Sequence, residues 1–140
     1  MKDLLVIGGA SLDKLHFSDR ICETVGGAGM YTAVAAHLAG AEVSMFAPRP
    51  HPVPESLVPA VNRVEWLGPS VPPAELPRFE IAHHGGGRTT LVNAAWGAEA
   101  HLSPEDLPVD LSGYRLVHIS ALASGTRQLE FVVSCRERGA

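Results

Sequence analysis

The stretch from Thr24 to Phe46, TVGGAGMYTAVAAHLAGAEVSMF, constrains the fold of this chain more than any other. Gly26, Gly27 and Gly29 carry no Cβ, so the backbone there is free to take positive φ and to approach a neighbour or a ligand closely. Between Ala28 and Ala39 the residues are mostly alanine, with Val34 and Leu38 one turn apart, which predicts a helix with a narrow packing face. Gly40 stands where a left-handed residue closes a helix, and Val43, Met45 and Phe46 predict the strand that follows. A glycine turn that opens a helix presents free N–H groups and the positive end of the helix dipole. That setting suits hydroxyl or anionic ligands.

The rest of the chain supplies partners for that unit. Leu4 to Ile7 is a continuous apolar run stopped by Gly8-Gly9, as expected of a buried parallel strand. Residues 14–25 alternate loosely through Leu15, Phe17, Ile21 and Val25 and predict one or two exposed strands. The prolines at 48, 50, 52, 54 and 59 resist regular structure, except for a short turn near 56–61. Val64 to Leu67 predicts a further short strand. Phe79–His83 and Thr89–Asn93 predict a hairpin whose three-glycine connection, 85–87, leaves the register loose. Ser103 and Pro104 predict a helix start, and Leu116–Ile119 a second buried strand. Ser124 or Thr126 then caps a helix running to about Arg138, with Leu129, Val132 and Val133 on its inner face. Strands alternating with helices, plus a hairpin, predict an α/β layer fold carrying a small extra sheet. Only about three strands are then left for the core, against a usual ~5–6, so half of a longer protein, or a chain that pairs with something, is expected.

Composition narrows the function. A length of 140 residues is one domain's worth, and 46% hydrophobic with 19% charged residues is ordinary for a soluble protein. Eleven basic residues against 15 acidic ones give a net charge of −4 with no basic block, so nucleic acid is not an expected partner. Cys22 and Cys135 are expected to be free thiols in a reducing cytoplasm. No run approaches the ~20 apolar residues of a membrane span. Met1-Lys2-Asp3 leads straight into a strand, so neither a membrane nor a signal peptide is expected.

Two glycine clusters invite a nucleotide-binding reading. Gly27-Ala28-Gly29 has Thr32 at the third glycine position, follows no buried strand, and is not succeeded by an acidic residue after Phe46. Gly8-Gly9 follows a buried strand but opens no helix. Each defect removes part of the mechanism that holds a pyrophosphate and a ribose, so a dinucleotide site is not expected. His83 and His84 are adjacent in a strand and point to opposite faces; neither they nor His16, His37, His51, His101 and His118 predict a metal site. Glu105 and Asp106 read as helix-start charges. Asp13 is either a strand-ending turn residue or a ligand acceptor, and the glycines serve either helix packing or a ligand. Tyr31 and Trp96 are either core aromatics or stack on a ligand ring.

Taken together, Val6-Ile7-Gly8, Ser11-Leu12-Asp13, Gly26-Gly27-Ala28-Gly29 with its alanine-rich helix, and Leu38-Ala39-Gly40-Ala41-Glu42-Val43 resemble the N-terminal half of the ribokinase-like (PfkB-type) carbohydrate kinases. Phe79-Glu80-Ile81, Thr89 to Glu99 and Leu102 to Leu107 are similar to that family's lid strands and the segment after them. The resemblance implies a ribokinase-like layered fold with a mostly parallel core sheet and a small β lid, residues 1–140 being the substrate-binding part and the lid strands lying at about 14–25 and 79–94. It implies the substrate-binding set Asp13, Ser11, Gly26, Gly27, Gly29 and Tyr31, with Asp13 accepting hydrogen bonds from sugar hydroxyls. Tyr31 stands where many members have asparagine, Ala28 where some have lysine, and Ser120 near a position where some carry a glutamate. The family's C-terminal signature, Asp-Thr-x-Gly-Ala-Gly-Asp, which supplies the catalytic base and borders the ATP site, is absent from these residues. The expected function is therefore the substrate-binding half of a sugar or nucleoside kinase, with ATP and Mg²⁺ serving the complete parent enzyme and neither held by this chain alone. No catalytic or metal-binding residue is expected here, and a homo-oligomer through the lid strands is. The rival expectation is a non-catalytic binding or assembly module.

Overall fold

The structure is a computed structural model describing residues 1–140. In chain order the elements are β1 (Lys2–Ile7), β2 (Ser11–His16), β3 (Ile21–Gly26), α1 (Ala28–Leu38), β4 (Val43–Phe46), β5 (Arg49–Pro50), α2 (Val58–Val61), β6 (Glu65–Leu67), β7 (Ser70–Val71), β8 (Arg78–Gly85), β9 (Arg88–Ala95), β10 (Tyr114–Ile119) and α3 (Gly125–Glu137). They form a four-stranded core sheet in the order β10-β1-β4-β6, a four-stranded second sheet in the order β3-β2-β8-β9, and the two-stranded β5-β7 ribbon. Every pairing in the core sheet is parallel. The architecture is the mixed α/β, mostly parallel one that the sequence predicts, with one more core strand than expected.

β1 explains why its sequence is apolar without a break. Leu4 and Val6 face a core built with Met30 and Ala33 of α1, Val43, Met45 and Trp66. Leu5 and Ile7 face the opposite core, with Phe46, Phe131 and Cys135. Helices therefore cover both faces of the sheet, and successive side chains have no polar side to alternate with. α1 covers one face and α3 the other, so the chain reverses its winding about β1 and β10.

α1 ends as Gly40 predicts. Gly40 takes φ +97°, its N–H donates to His37 O at 2.9 Å, and Ala41 N–H donates to Ala36 O at 3.1 Å. The face that packs is Gly29, Met30 and Ala33, with Val34 half-buried; Leu38, expected to belong to it, is 71% exposed.

The second sheet extends the expected lid at both ends. Its first hairpin runs from Ser11 to Gly26 rather than 14–25, and β2 pairs in parallel with β8. The β8–β9 hairpin turns through Gly85, Gly86 and Gly87, all at positive φ; its register shifts beside that connection, at His83/Gly85, and a second time mid-strand, at Glu80/Ile81.

Three expectations are corrected. Ser103 caps a single 3₁₀ turn, Pro104–Asp106, and no α-helix follows. β10 is not a buried strand but the sheet edge, and Leu116 is 62% exposed. α3 is capped by Ser124, yet it buries Phe131 and Cys135 and leaves Leu129, Val132 and Val133 exposed. No helix is long and apolar enough to cross a membrane.

Candidate functional site

Three connections meet at the carboxyl ends of the core strands. Gly8 and Gly9 leave β1, Ala47 leaves β4, and Ser120 and Ala121 leave β10. α1 starts against them: the Gly9 carbonyl accepts the Met30 N–H at 3.2 Å, and no side chain caps the helix. The glycines answer two different needs. A Cβ on Gly29 would lie 1.9 Å from Gly8 O, and one on Gly27, where φ is +106°, 2.2 Å from Gly9 O. These two let backbone dock on backbone. Gly26, the last residue of β3, is different, because a Cβ there would meet Asp13 Oδ2 at 2.1 Å and Ser11 Oγ at 3.0 Å. Its bare backbone makes room for the Asp13 carboxylate.

A cavity of about 230 Å³ opens here, bordered by Ser11, Asp13, the Gly27–Gly29 start of α1, Phe79, Trp96 and Glu99. A larger open cleft of about 540 Å³ runs along the second sheet past Thr24, Arg78, Glu80 and Asn93, and Asp13 and Phe79 belong to both. Asp13 is half-buried on β2, and its Oδ1 accepts the Phe79 N–H at 3.3 Å, tying β2 to the start of β8. Ser11 is 1% exposed and its Oγ has no partner. The Phe79 and Trp96 rings meet edge to face at 5.1 Å and form an aromatic wall.

Of the residues named from sequence, Asp13, Ser11, Gly27 and Gly29 border the smaller cavity, and Gly26 sits behind Asp13. Tyr31 does not join them. It is 60% exposed, its hydroxyl donates to Val25 O at 3.1 Å, and it borders neither cavity. Trp96 is a half-buried wall rather than a core aromatic.

Glu99 is the residue that sequence reasoning missed. It lies on the 3₁₀ turn Gly97–His101, is 5% exposed and accepts a hydrogen bond from the Gly9 N–H. Burial pushes its carboxyl up to about 7, against the opposing effect of that hydrogen bond. The available signal was an acid among small residues, Ala98-Glu99-Ala100, just ahead of the buried Leu102.

No protein-family model matches the sequence, and no curated protein does. Solved structures do. Ribokinase from Giardia lamblia superposes with a TM-score of 0.79 at 18% identity, over 98% of this chain and 47% of that one. The chain has the ribokinase fold. Adenosine kinase from Sinorhizobium meliloti matches with a TM-score of 0.73 at 16% identity, over 99% of this chain and 54% of its own. A carbohydrate kinase from Agrobacterium tumefaciens matches with a TM-score of 0.58 at 26% identity, over 78% of this chain and 40% of its own. The chain thus spans about half the length of the ribokinase-fold structures it matches.

Proposed function

We propose that this chain is the substrate-binding half of a sugar or nucleoside kinase. The observation that carries the reading is the position of the Asp13 cavity. It lies outside the carboxyl ends of β1 and β10, where the winding reverses, and open parallel sheets place ligands in that crevice. Its chemistry suits a polyhydroxy ligand. The Asp13 carboxylate is an acceptor for two hydroxyl groups, while the Ser11 hydroxyl donates to a ligand oxygen. The start of α1 brings backbone N–H groups to the cavity wall at Ala28 and Gly29. The Phe79–Trp96 pair supplies an apolar face for a ring carbon skeleton.

β2 and β8 run from the cavity into the lid sheet, so the same strands that carry Asp13 and Phe79 cover the ligand and exclude water. ATP would supply the γ-phosphoryl group in the complete parent enzyme, with Mg²⁺ neutralising its developing charge. No group of three or more His, Cys, Asp or Glu side chains is placed to hold a metal ion by itself.

The test is a phosphoryl-transfer assay on the complete parent protein, with ATP and Mg²⁺, against a panel of pentoses, hexoses, polyols and nucleosides. Transfer to at least one of them, followed by ³¹P NMR, is the expected result. A folded parent that transfers phosphate to none of the panel overturns the kinase reading and leaves a non-catalytic binding module.

A further inference from the structure

Glu99 and Ser11 are two buried polar groups with fewer partners than they have room for. A carboxylate offers about four lone-pair sites. The partner found for Glu99 is the Gly9 N–H, although the residue is only 5% exposed. Ser11 Oγ has no partner at 1% exposure. More than about nine in ten buried polar groups in native proteins have at least one partner, so an orphaned Ser11 hydroxyl and a buried Glu99 carboxyl with spare acceptor sites, both bordering one small cavity, point to something that fills it. The charge around them is one-sided. No Lys, Arg or His borders the cavity, and Asp13 on β2 is the other ionisable side chain there. Glu75, on the turn packed against Gly97, is exposed to solvent.

We propose that Glu99 forms a second polar contact of the ligand seat, across from Asp13 and Ser11, in which the Glu99 carboxylate accepts a hydrogen bond from a hydroxyl or amino group of a polyhydroxy ligand. The proposal rests on the cavity being a ligand seat, and it names what the far wall of that seat recognises. A consequence follows for pH. Burial holds the empty-site carboxyl at about 7, and a donor on the carboxylate favours the ionised form. About one-tenth of the molecules carry that form at pH 6 and about nine-tenths at pH 8, so affinity rises by about tenfold between them.

The experiment is a fluorescence titration of the intact protein at pH 6 and pH 8, with Trp96 as the reporter at the cavity wall. The probes are D-ribose and myo-inositol, which offer only hydroxyls, and D-glucamine, which adds an amine. At least one probe is expected to bind, about tenfold more tightly at pH 8. The hydroxyl-only and amine-bearing probes distinguish the two sources of the hydrogen bond. Glu99→Gln keeps the shape and an acceptor for the Gly9 N–H but does not titrate; it is expected to bind more weakly at pH 8 and to lose the pH dependence. Binding that is flat in pH, or tighter at pH 6, overturns the proposal. So does an unchanged profile in Glu99→Gln, or no binding by any of the three probes. If the variant does not fold, the wild-type pH profile alone decides. No phosphoryl transfer enters this measurement: binding that follows pH in a protein that never phosphorylates removes the kinase reading only, and transfer with pH-flat binding removes the Glu99 contact only.

Discussion

At Gly29 the nearest neighbour of a would-be side chain is the Gly8 carbonyl oxygen, 1.9 Å from the Cβ position. Backbone cannot swing aside as a flexible side chain does, so Gly29→Ala must push α1 off the end of β1. Alanine in a helix normally gains up to about 1 kcal/mol over glycine. Here a backbone-on-backbone contact this short puts the overpacking cost at the upper end of the usual ~1–3 kcal/mol, and a net loss of about 2 kcal/mol by urea unfolding is expected. A neutral or stabilised Gly29→Ala would show that the contact is not tight. Glu99 carries the second prediction at this scale. Its carboxyl ordinarily titrates at 4.5 and is held at about 7 in the fold, so the folded state binds the proton more tightly than the unfolded chain. Stability from this group is therefore complete below about pH 4.5 and is lost as pH rises through about 7. Glu99→Gln removes that loss, worth about 3 kcal/mol. Between pH 5 and pH 8 the wild type should lose stability relative to the variant; parallel profiles would contradict the burial of this carboxyl.

Among the elements, β1, α1 and β4 were the most legible, because both faces of a buried parallel strand demand apolar residues and the glycine turn marks where the helix begins. α3 was legible as a helix and not as a face. Its sequence offers two apolar stripes, and nothing in the spacing says that Phe131 and Cys135, rather than Leu129, Val132 and Val133, meet Leu5 and Ile7. Phe131→Ala is expected to cost about 3–5 kcal/mol, while Leu129→Ala stays within about 0.5 kcal/mol. Equal effects in thermal or denaturant unfolding would return the inner face to Leu129. The site was legible in the same uneven way. Asp13, Ser11 and the glycines stand beside recognisable punctuation at the ends of β1 and β3. Glu99 comes from a turn far downstream of Asp13, beyond the β8–β9 hairpin, and its burial is a product of tertiary packing that no local pattern reveals. Tyr31 sits on the first turn of α1, close to the site in sequence, yet its ring lies on the solvent side.

At the scale of the molecule, two sheets of four strands share the chain, and the last strand of the second sheet, β9, is uncovered. Every residue of β9 is exposed, including Leu91 at 61% and Val92 at 56%, and β3 and β9 are open edges. Open strand edges with apolar side chains are templates for pairing, so a homodimer or higher oligomer through the lid strands is expected by light scattering. A monomer at high protein concentration contradicts it. The proposed ligand seat joins the two sheets, since Asp13 stands on β2 of the second sheet while Gly9, Ala47 and Ala121 close the ends of the core. The most direct test of that seat is Asp13→Asn in the complete parent protein, with substrate affinity and melting temperature measured on the same sample. Asparagine keeps the oxygen that accepts the Phe79 N–H and removes the charge from hydrogen bonds to the ligand, each worth roughly 1.5–3 kcal/mol. A ligand-binding Asp13 predicts at least about a tenfold loss of affinity, which needs only ~1.4 kcal/mol, with the melting temperature nearly unchanged. Intact affinity with a lowered melting temperature would make Asp13 a structural link between β2 and β8 and remove it from the site.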